Sequence, residues 1–420
     1  MGTKEFRGVH QMRALGILYH PSSLWPYGGS ERRFVNVAKE LRKYGIEFDV
    51  IETCPSLSLY LKTDYNSYCV KLFSRNALYI DIIEYILRGF KKSRYLMRNK
   101  ERLRYEFVYV GNNNLYNLLL GYLVGRLYSL PLIVVVHHLR WIDYEYSKQC
   151  EKGVLFSAYR KMRREGVGRL HALVQAFGAI FEASLLRKFD YYIAVSYSAA
   201  KELMMLAVPN EKIFVTGNGI SFSNLNSFNF REKKYDAVYV GRFDEGKGVY
   251  ELIRIWKEVT KSLPEAKLLM LGSGMLRREV TNLVEKIGLS SNVSMPGFVP
   301  EKILYQLLCG SKIFVTASRT EGFSLAVAEA LACGVPVVCY DIPALRENYG
   351  KCPSVFLVPR GDSEAFARRV VDLLSLEPQK YRILSEISRK CVRCFDWSLV
   401  AKRELFAISK ALRSRFQENV

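Results

Sequence analysis

Short apolar runs alternate with longer stretches of helical pattern along the whole chain. Each run is rich in β-branched or aromatic residues, which predicts a strand. In the first half the predicted strands are Ala14–Tyr19, Glu47–Ile51, Phe107–Val110, Leu132–Val136, Tyr191–Val195 and Ile213–Thr216. In the second half they are Ala237–Val240, Lys267–Leu271, Val293–Met295, Ile313–Thr316, Val335–Cys339 and Val355–Val358. Strands that alternate with helices predict parallel sheets with helices on both faces.

The number of predicted strands exceeds what one such sheet usually holds, so we expect two doubly wound, Rossmann-like α/β domains. A polar run, Ser221–Lys234, marks the break between them. The expected division is an N-terminal domain over residues 1–225, a C-terminal domain over 226–395, and a last helix over 396–420 that packs back on the N-terminal domain. Open parallel sheets bind ligands at the carboxyl ends of their strands, so we expect the two domains to face each other across a binding cleft.

Composition is that of a globular protein: of 420 residues, 49% are hydrophobic and 25% charged. Lys and Arg number 62 against 41 Asp and Glu, a net charge of +21. Such a surface attracts an anionic partner: nucleic acid, phospholipid or a phosphorylated substrate. The sequence contains no recognised nucleic-acid-binding module, and its basic residues cluster with apolar ones. We therefore expect no nucleic-acid partner and keep that class as the non-enzyme alternative.

The nine cysteines are scattered, and the first residues lack the apolar core of a signal peptide. Both features predict reduced thiols in a cytoplasmic protein. Cys391 and Cys394 have C-x-x-C spacing, but no second pair or nearby histidine accompanies them, so we expect no metal site. The long apolar segment Leu115–Val136 contains Asn117 and Pro131. It therefore predicts a helix and a strand rather than a membrane span.

The strongest candidate site follows the strand Ile313–Thr316. The pattern predicts a helix over Ser324–Cys333 that ends at Gly334. This helix is apolar almost all round, yet it contains Glu329. A buried carboxylate is costly unless it is hydrogen-bonded, so it indicates either bound ligand hydroxyls or a buried salt bridge.

The loop before that helix carries a second acid. Glu321 lies eight positions before Glu329, where its side chain can reach a ligand at the start of the helix. The backbone N–H groups of Gly322, Phe323 and Ser324 point the same way and suit a phosphate. A solvated Glu321 is the alternative.

A glycine-punctuated loop, Gly241–Gly248, follows the first strand of the C-terminal domain. It contains two cations, Arg242 and Lys247, at the carboxyl end of that strand. Such a loop can bind a diphosphate and stabilise it as a leaving group. The alternative is an ordinary basic surface loop.

Two features of the N-terminal domain also fall at strand ends. Paired glycines, Gly28 and Gly29, precede a helix and let a phosphate approach its N-terminus, although a flexible capped loop gives the same pattern. His137 and His138 follow the buried strand Leu132–Val136, where an imidazole can hydrogen-bond a sugar hydroxyl or serve a structural role.

Taken together, these stretches make the chain resemble the retaining glycosyltransferases of the GT-B fold, specifically glycosyltransferase family 4 of the glycosyl transferases group 1 type. In the second half the resemblance rests on G-R-F-x-x-x-K-G, L-G-S-G, P-G-F-V-P and two glutamates with seven residues between them. In the first half it rests on G-G-S-E-R, the strand-end histidine and Gly217-Asn-Gly-Ile220.

The resemblance implies transfer of a sugar from a nucleotide-diphosphate sugar with retention at the anomeric carbon, without cofactor or metal ion. The N-terminal domain would bind the acceptor and the C-terminal domain the nucleotide sugar. The resemblance implies that Glu329 contacts the donor ribose and that Glu321, with Gly322, Phe323 and Ser324, contacts the sugar and phosphate. It implies that Arg242, Lys247 and Gly241 contact the diphosphate and that Gly29 contacts it from the N-terminal domain. Phe298 and Val299 would contact the base. His137 would lie near the reacting sugar, with His138 as its alternative, and Asn218 near the acceptor.

Basic residues mixed with apolar ones bear on the acceptor. One cluster comprises Arg88, Lys91, Lys92, Arg94, Arg98, Lys100, Arg102 and Arg104, and a second Arg160, Lys161, Arg163, Arg164 and Arg169. This mixture favours an anionic membrane surface over a merely solvated helix face. We therefore expect a membrane lipid or lipid-linked glycan as acceptor and a peripheral position on the inner face of the membrane. The alternative is a GT-B synthase acting on a soluble glycan or polysaccharide.

Overall fold

A computed structural model describes residues 11–19, 28–53, 65–70, 78–98, 104–139, 141–142, 153–164, 168–222 and 233–418. The chain divides into two compact units. The N-terminal unit comprises the described residues up to Asn218 together with the last helix, and the C-terminal unit comprises Gly219–Asp396. The division thus falls seven residues before the boundary expected at residue 225.

The N-terminal unit contains one seven-stranded parallel sheet. Its strands are β1 (Met12–Leu18), β2 (Ile46–Thr53), β3 (Asn66–Val70), β4 (Phe107–Val110), β5 (Leu132–Val136), β6 (Tyr191–Ala194) and β7 (Ile213–Val215). Its helices are α1 (Gly29–Arg42), α2 (Leu78–Arg98), α3 (Leu115–Tyr128), α4 (Gly153–Arg164), α5 (Arg169–Leu186) and α6 (Tyr197–Met205). The strand order is β3-β2-β1-β4-β5-β6-β7, so the chain reverses its direction across the sheet between β1 and β4.

The C-terminal unit contains a six-stranded parallel sheet of order β10-β9-β8-β11-β12-β13. Its strands are β8 (Tyr235–Val240), β9 (Leu268–Leu271), β10 (Val293–Gly297), β11 (Ser311–Thr316), β12 (Val337–Tyr340) and β13 (Val355–Val358). Its helices are α7 (Val249–Ser262), α8 (Arg277–Lys286), α9 (Glu301–Cys309), α10 (Leu325–Ala332), α11 (Pro343–Tyr349), α12 (Ser363–Leu374) and α13 (Pro378–Cys391). The last helix of the chain, α14 (Trp397–Glu418), belongs to the N-terminal unit.

All the predicted strands are present, with ends that differ by at most two residues from those expected. The pattern missed β3, an edge strand that begins with Asn66 and Ser67 and is mostly half-exposed. Leu115–Val136 is a helix followed by a strand, as expected. Within the described ranges, no helix is long and apolar enough to cross a membrane.

A buried ion pair holds the last helix to the first. Arg33 in α1 donates to Glu404 in α14 at 2.6 Å, and the two side chains are 1% and 0% exposed. Tyr109 in β4 also donates to Glu404, and Arg33 donates to Thr216 at 2.9 Å. Burial acts to lower the pKa of Arg33, but the Glu404 carboxylate raises it, and the pKa ends above its usual value. The guanidinium therefore stays charged in the interior.

The helices α2, α4 and α5 expose apolar and basic side chains. On α2 the exposed residues include Ile83, Leu87, Lys91, Arg94 and Arg98. On α5 a stripe of exposed large apolar residues comprises Leu170, Leu173, Val174, Phe177 and Phe181, while Ala172, Ala176, Ala179 and Ala183 are buried.

One member of the second basic cluster was assigned wrongly. Lys161 is only 7% exposed, and it donates to the backbone carbonyl of Ile142 at 3.3 Å. Arg163 and Arg169 are exposed, as the surface hypothesis requires. Lys100 and Arg102 of the first cluster lie outside the described residues.

The expectation of reduced thiols is wrong for one pair. Cys352 and Cys391 form a disulfide with a Cα–Cα distance of 5.8 Å. The pairing joins residues 39 positions apart, because α13 ends beside the loop that precedes β13. Cys391 is therefore not available to form a C-x-x-C metal site with Cys394, which is a free, exposed thiol.

Replacing Glu404 by Ala should destabilise the N-terminal unit by about 3–5 kcal/mol, because Arg33 would be left charged and buried without its partner. The measurement is chemical denaturation followed by a probe in that unit, since a two-unit chain need not unfold in one step.

The double variant Arg33→Met, Glu404→Leu removes both charges and should recover most of this loss. An equal loss in the single and double variants would contradict the assignment of the stability to the pair.

Candidate functional site

The carboxyl ends of β8 and β11 lie at the topological switch point of the C-terminal sheet. The strands are adjacent and parallel, with Ala237 paired to Ile313, and the order of the sheet reverses between them. Open α/β sheets bind ligands at such a point, because the loops on the two sides diverge and leave a crevice. The loop 241–248 follows β8, and the loop 317–324 follows β11.

These two loops are packed directly on each other. Gly248 has φ +63°, and a Cβ there would lie 2.0 Å from the carbonyl oxygen of Ala317. The backbone N–H of Arg319 donates to the carbonyl of Gly246 at 2.9 Å. Only a residue without a side chain permits this approach, so Gly248 is needed for the contact between the two loops.

An ion pair joins the two motifs that the sequence singled out. Lys247 donates to Glu321 at 2.6 Å, and the side chains are 21% and 8% exposed. Arg242 lies in the same loop, about half exposed, and pairs with Asp244 at 3.1 Å. Asp244 also accepts from the backbone N–H of Lys247 at 3.1 Å, so it fixes the turn that presents both cations. Asp244 was not among the predicted site residues.

The helix α10 begins in an unusual backbone conformation. Its N-cap residue, Ser324, has φ +70°, a left-handed value that is rare outside glycine and is found mainly where a site requires it. Its carbonyl accepts from the Tyr349 hydroxyl at 2.9 Å. Glu329, 1% exposed, lies on the same helix as predicted.

Tyr349 lies close enough to both glutamates to be affected by their charges. Burial raises the pKa of its phenol well above the usual value, and the charges of Glu321 and then Glu329 raise it further. Phe323 packs edge-on against Tyr349, with ring centroids 5.6 Å apart. The Phe323 side chain is therefore occupied by packing, and its backbone N–H, which is the group predicted to bind a phosphate, is the part left for a ligand. Tyr349 itself gave no motif in the sequence.

The remaining predicted donor residues lie along the same sheet edge. Gly241 directly follows β8, and Gly272 donates to the carbonyl of Gly297 at 2.9 Å, which aligns the loops after β9 and β10. Phe298 directly follows β10 with 49% of its surface exposed, and Val299 is partly buried. An exposed aromatic ring at a strand end is a suitable face for a nucleobase.

The predicted residues of the N-terminal unit lie on its own sheet edge. Gly29 is the exposed first residue of α1, and the backbone N–H of the preceding Gly28 donates to the Glu31 carboxylate at 2.8 Å. His137 and His138 follow β5, and Asn218, 3% exposed, follows β7. His138 Nδ1 lies 2.7 Å from Glu202, a buried carboxylate in α6. Glu202 was not among the predicted site residues, because a single acid in an ordinary helix gives no signal in the sequence.

Among the described residues, no group of three or more His, Cys, Asp or Glu side chains is arranged to hold a metal ion. The C-terminal site itself offers two cations, two glutamates and backbone N–H groups.

Two family models match consecutive parts of the chain. Residues 27–224 match Glycosyltransferase Family 4, and residues 222–391 match Glycosyl transferases group 1. The chain belongs to glycosyltransferase family 4, and its two parallel-sheet α/β units are those of the GT-B fold.

Named relatives agree with this family, and a solved structure agrees with the fold. A Streptomyces fradiae 2-deoxystreptamine N-acetyl-D-glucosaminyltransferase is 25% identical over 63% of this chain and 61% of its own length. A Mycobacterium leprae phosphatidyl-myo-inositol mannosyltransferase is 29% identical over 50% of this chain and 56% of its own. The structure of Anabaena HepE in complex with UDP and glucose superposes with a TM-score of 0.70 at 16% identity, covering 95% of this chain and 100% of that one. The chain spans about half the length of the curated relatives that it matches.

The close contact of Gly248 with Ala317 leaves no room for a side chain at position 248. Gly248→Ala should lower the melting temperature of the C-terminal unit by several degrees, because the new Cβ meets a carbonyl oxygen and the backbone has positive φ. The measurement is thermal unfolding followed by circular dichroism.

Gly246→Ala is the matched control. A Cβ at Gly246 meets its nearest atoms at 3.4 and 3.6 Å, which is ordinary contact. Equal melting of the two variants would show that the packing of the loops does not depend on Gly248.

Proposed function

We propose that this protein is a glycosyltransferase that moves a sugar from a nucleotide-diphosphate sugar to an acceptor. The observation that carries the proposal is the Lys247–Glu321 pair at the switch point, beside Arg242 and the start of α10. A diphosphate needs cations and N–H donors, and sugar hydroxyls need carboxylate acceptors. Both kinds of group are present within two adjoining loops.

In this proposal the leaving diphosphate takes Lys247 and Arg242 as its partners. Negative charge builds on the diphosphate as the glycosidic bond breaks, and fixed cations stabilise that charge without reorganisation. Glu321, released from Lys247, accepts hydrogen bonds from the donor sugar, and Glu329 holds the ribose. The resemblance to family 4 implies retention at the anomeric carbon without a metal ion, and both remain part of the proposal.

The function is tested by offering UDP-glucose and other nucleotide sugars to the full chain. Protection against thermal unfolding and slow release of the nucleoside diphosphate are the two expected signals. UDP and glucose are the ligands in the HepE structure, so they are the first probes. If no nucleotide sugar protects the protein or is consumed, the proposal is wrong.

Glu329→Gln should weaken nucleoside diphosphate binding by about 1–3 kcal/mol, since it removes a charged hydrogen-bond acceptor. Isothermal titration of the folded variant gives the measurement. The control is Glu364→Gln, which changes a carboxylate of the same unit that is 82% exposed. Unchanged affinity in the Glu329 variant would contradict a ribose contact.

We also propose that the acceptor is a membrane lipid or a lipid-linked glycan and that the protein binds the cytoplasmic face of the membrane peripherally. The exposed face of α2 carries two aliphatic side chains followed by Lys91, Arg94 and Arg98. Lys92 lies 5.5 Å from the ring centroid of Tyr95, which is 60% exposed. A helix face that combines apolar and cationic groups suits the boundary between acyl chains and anionic headgroups.

The stripe on α5 supports the same proposal. A row of large apolar side chains on one exposed face is uncommon in a monomeric soluble domain. On α4, Arg160 lies 5.3 Å from the ring centroid of Phe156, which is 41% exposed. One relative is by name a mannosyltransferase of phosphatidyl-myo-inositol, which is a lipid.

Replacing Lys91, Arg94 and Arg98 by Glu should release the protein from vesicles of mixed neutral and anionic lipid. Each cation near such a surface is worth about 1 kcal/mol, so reversing three of them removes most of the attraction. Vesicle sedimentation at low and high salt gives the measurement, and the native protein should also dissociate as salt is raised.

The matched control reverses three exposed cations of the C-terminal unit, Arg368, Lys380 and Arg382, each paired with an acid one helical turn away. The change in net charge is the same. Equal release of both variants would mean that net charge rather than α2 binds the vesicles. If both variants sediment with the vesicles as much as the native protein does, a soluble glycan acceptor is favoured.

A further inference from the structure

A groove follows the outer edge of the N-terminal sheet. The strand β7 is the last of that sheet, with β6 on one side and no strand of the described residues on the other. The groove has a volume of about 650 Å³ and lies along β7 between α6 and α14. All of its lining residues belong to the N-terminal unit. An open sheet edge is a place where a further strand can pair.

The backbone of β7 directs hydrogen-bonding groups into this groove. Thr216 donates its N–H to the Ala194 carbonyl at the end of β6, at 3.1 Å. Successive residues of a strand turn their N–H and C=O groups to opposite sides, so those of Val215 point away from β6. Val215 lines the groove and is half-buried. A strand laid beside β7 would therefore find a donor and an acceptor at Val215.

The wall formed by α6 is apolar. Ile213 and Val215 pack against a small cluster that includes Ala200 of this helix. Met204, further along the same helix, lines the groove with 44% of its surface exposed. Because the side chains of an extended segment alternate between two faces, every second residue of a bound strand would lie against this wall.

The wall formed by α14 combines an aromatic ring with cations. Phe406 is 60% exposed, and Lys402 and Arg403, which are also exposed, line the same wall. Arg403 donates to the Thr216 carbonyl at 3.3 Å, which holds its charge beside the end of β7. None of the described residues that line the groove is acidic. The remaining residues of a bound strand would therefore meet positive charge.

These features favour an acidic peptide over other occupants. The net charge of +21 opposes the approach of a second copy of this chain to a basic groove. An acyl chain would cover the backbone groups of Val215 without replacing their hydrogen bonds to water, which is costly. An extended peptide pairs with those groups, and its carboxylates meet Lys402 and Arg403.

We propose that the groove binds an extended segment of a partner protein, which adds a strand to β7 and alternates apolar residues against α6 with acidic residues against α14. This surface belongs to the N-terminal unit and is separate from the donor site, so the inference goes beyond the proposed glycosyltransferase function and does not depend on it.

The test uses the full chain and a dye-labelled, end-blocked peptide in which valine and glutamate alternate. Fluorescence anisotropy measures its binding, and a peptide in which lysine replaces glutamate is the contrast. The glutamate peptide should bind, and the lysine peptide should not, because its charges would face Lys402 and Arg403. Binding of the glutamate peptide should weaken as salt is raised.

Two N-methylated peptides test the pairing with the backbone of β7. One is methylated on the N–H groups of its glutamates and the other on those of its valines. Only one of these two sets of N–H groups can face β7, since alternate residues of a strand turn to opposite sides. One methylated peptide should therefore lose binding and the other should keep it. Binding that depended on charge alone would not distinguish them.

Two variants test the α14 wall. Lys402→Glu and Phe406→Ser should each weaken binding of the glutamate peptide about fivefold or more. The matched control is Lys39→Glu, which reverses an exposed cation of α1 that does not line the groove. It should leave the affinity for the peptide near its native value. All three variants should keep the native melting temperature, because the side chains that they change are exposed.

Several results would overturn the proposal. If the glutamate peptide does not bind, Lys402 and Arg403 only protect the sheet edge from pairing. Equal binding of the two methylated peptides would exclude an added strand, and equal losses in the Lys402 and Lys39 variants would exclude the groove. A dimer that Phe406→Ser dissociates would assign the groove to a second copy. Loss of sedimentation with vesicles of mixed neutral and anionic lipid in that variant would assign it to a lipid.

Discussion

The ion pair between Lys247 and Glu321 is the interaction on which the C-terminal site depends. It joins residues that are 74 positions apart and lie in the loops after the two strands between which the sheet order reverses. Both side chains are largely withdrawn from water, where each charge is costly unless it is compensated. Without a ligand each neutralises the other. In the proposed function a diphosphate and a sugar hydroxyl replace that pair with partners for both charges, so the pair would keep the site charged and ordered until a donor binds.

The N-terminal unit depends on a different kind of pair. Arg33 and Glu404 are fully buried and share their remaining hydrogen bonds with Tyr109 and Thr216. No water or ligand is needed to satisfy them, so this pair is structural and fixes α14 against α1 and the ends of β4 and β7. The same residue chemistry thus serves stability in one unit and, in the proposed function, ligand binding in the other, and exposure and location decide which.

The strand pattern was predictable because each β-branched run is buried in a parallel sheet, where hydrophobic residues are needed on both faces. The edge strand β3 escaped because Asn66 and Ser67 look like loop residues. Glu329 and Lys247 could be found because a lone acid in an apolar helix and a cation among glycines are locally unusual. Lys161, the Cys352–Cys391 disulfide and Glu202 could not, because their roles depend on partners far along the chain.

Cations lie on both surfaces that the proposed function concerns. The loop 241–248 presents Arg242 and Lys247, which suit an anionic diphosphate, and the exposed face of α2 presents Lys91, Arg94 and Arg98, which suit anionic headgroups. In the proposal the two sets have separate tasks: the cations of α2 bring the protein to a phosphate-bearing surface, and those of the loop stabilise the leaving diphosphate.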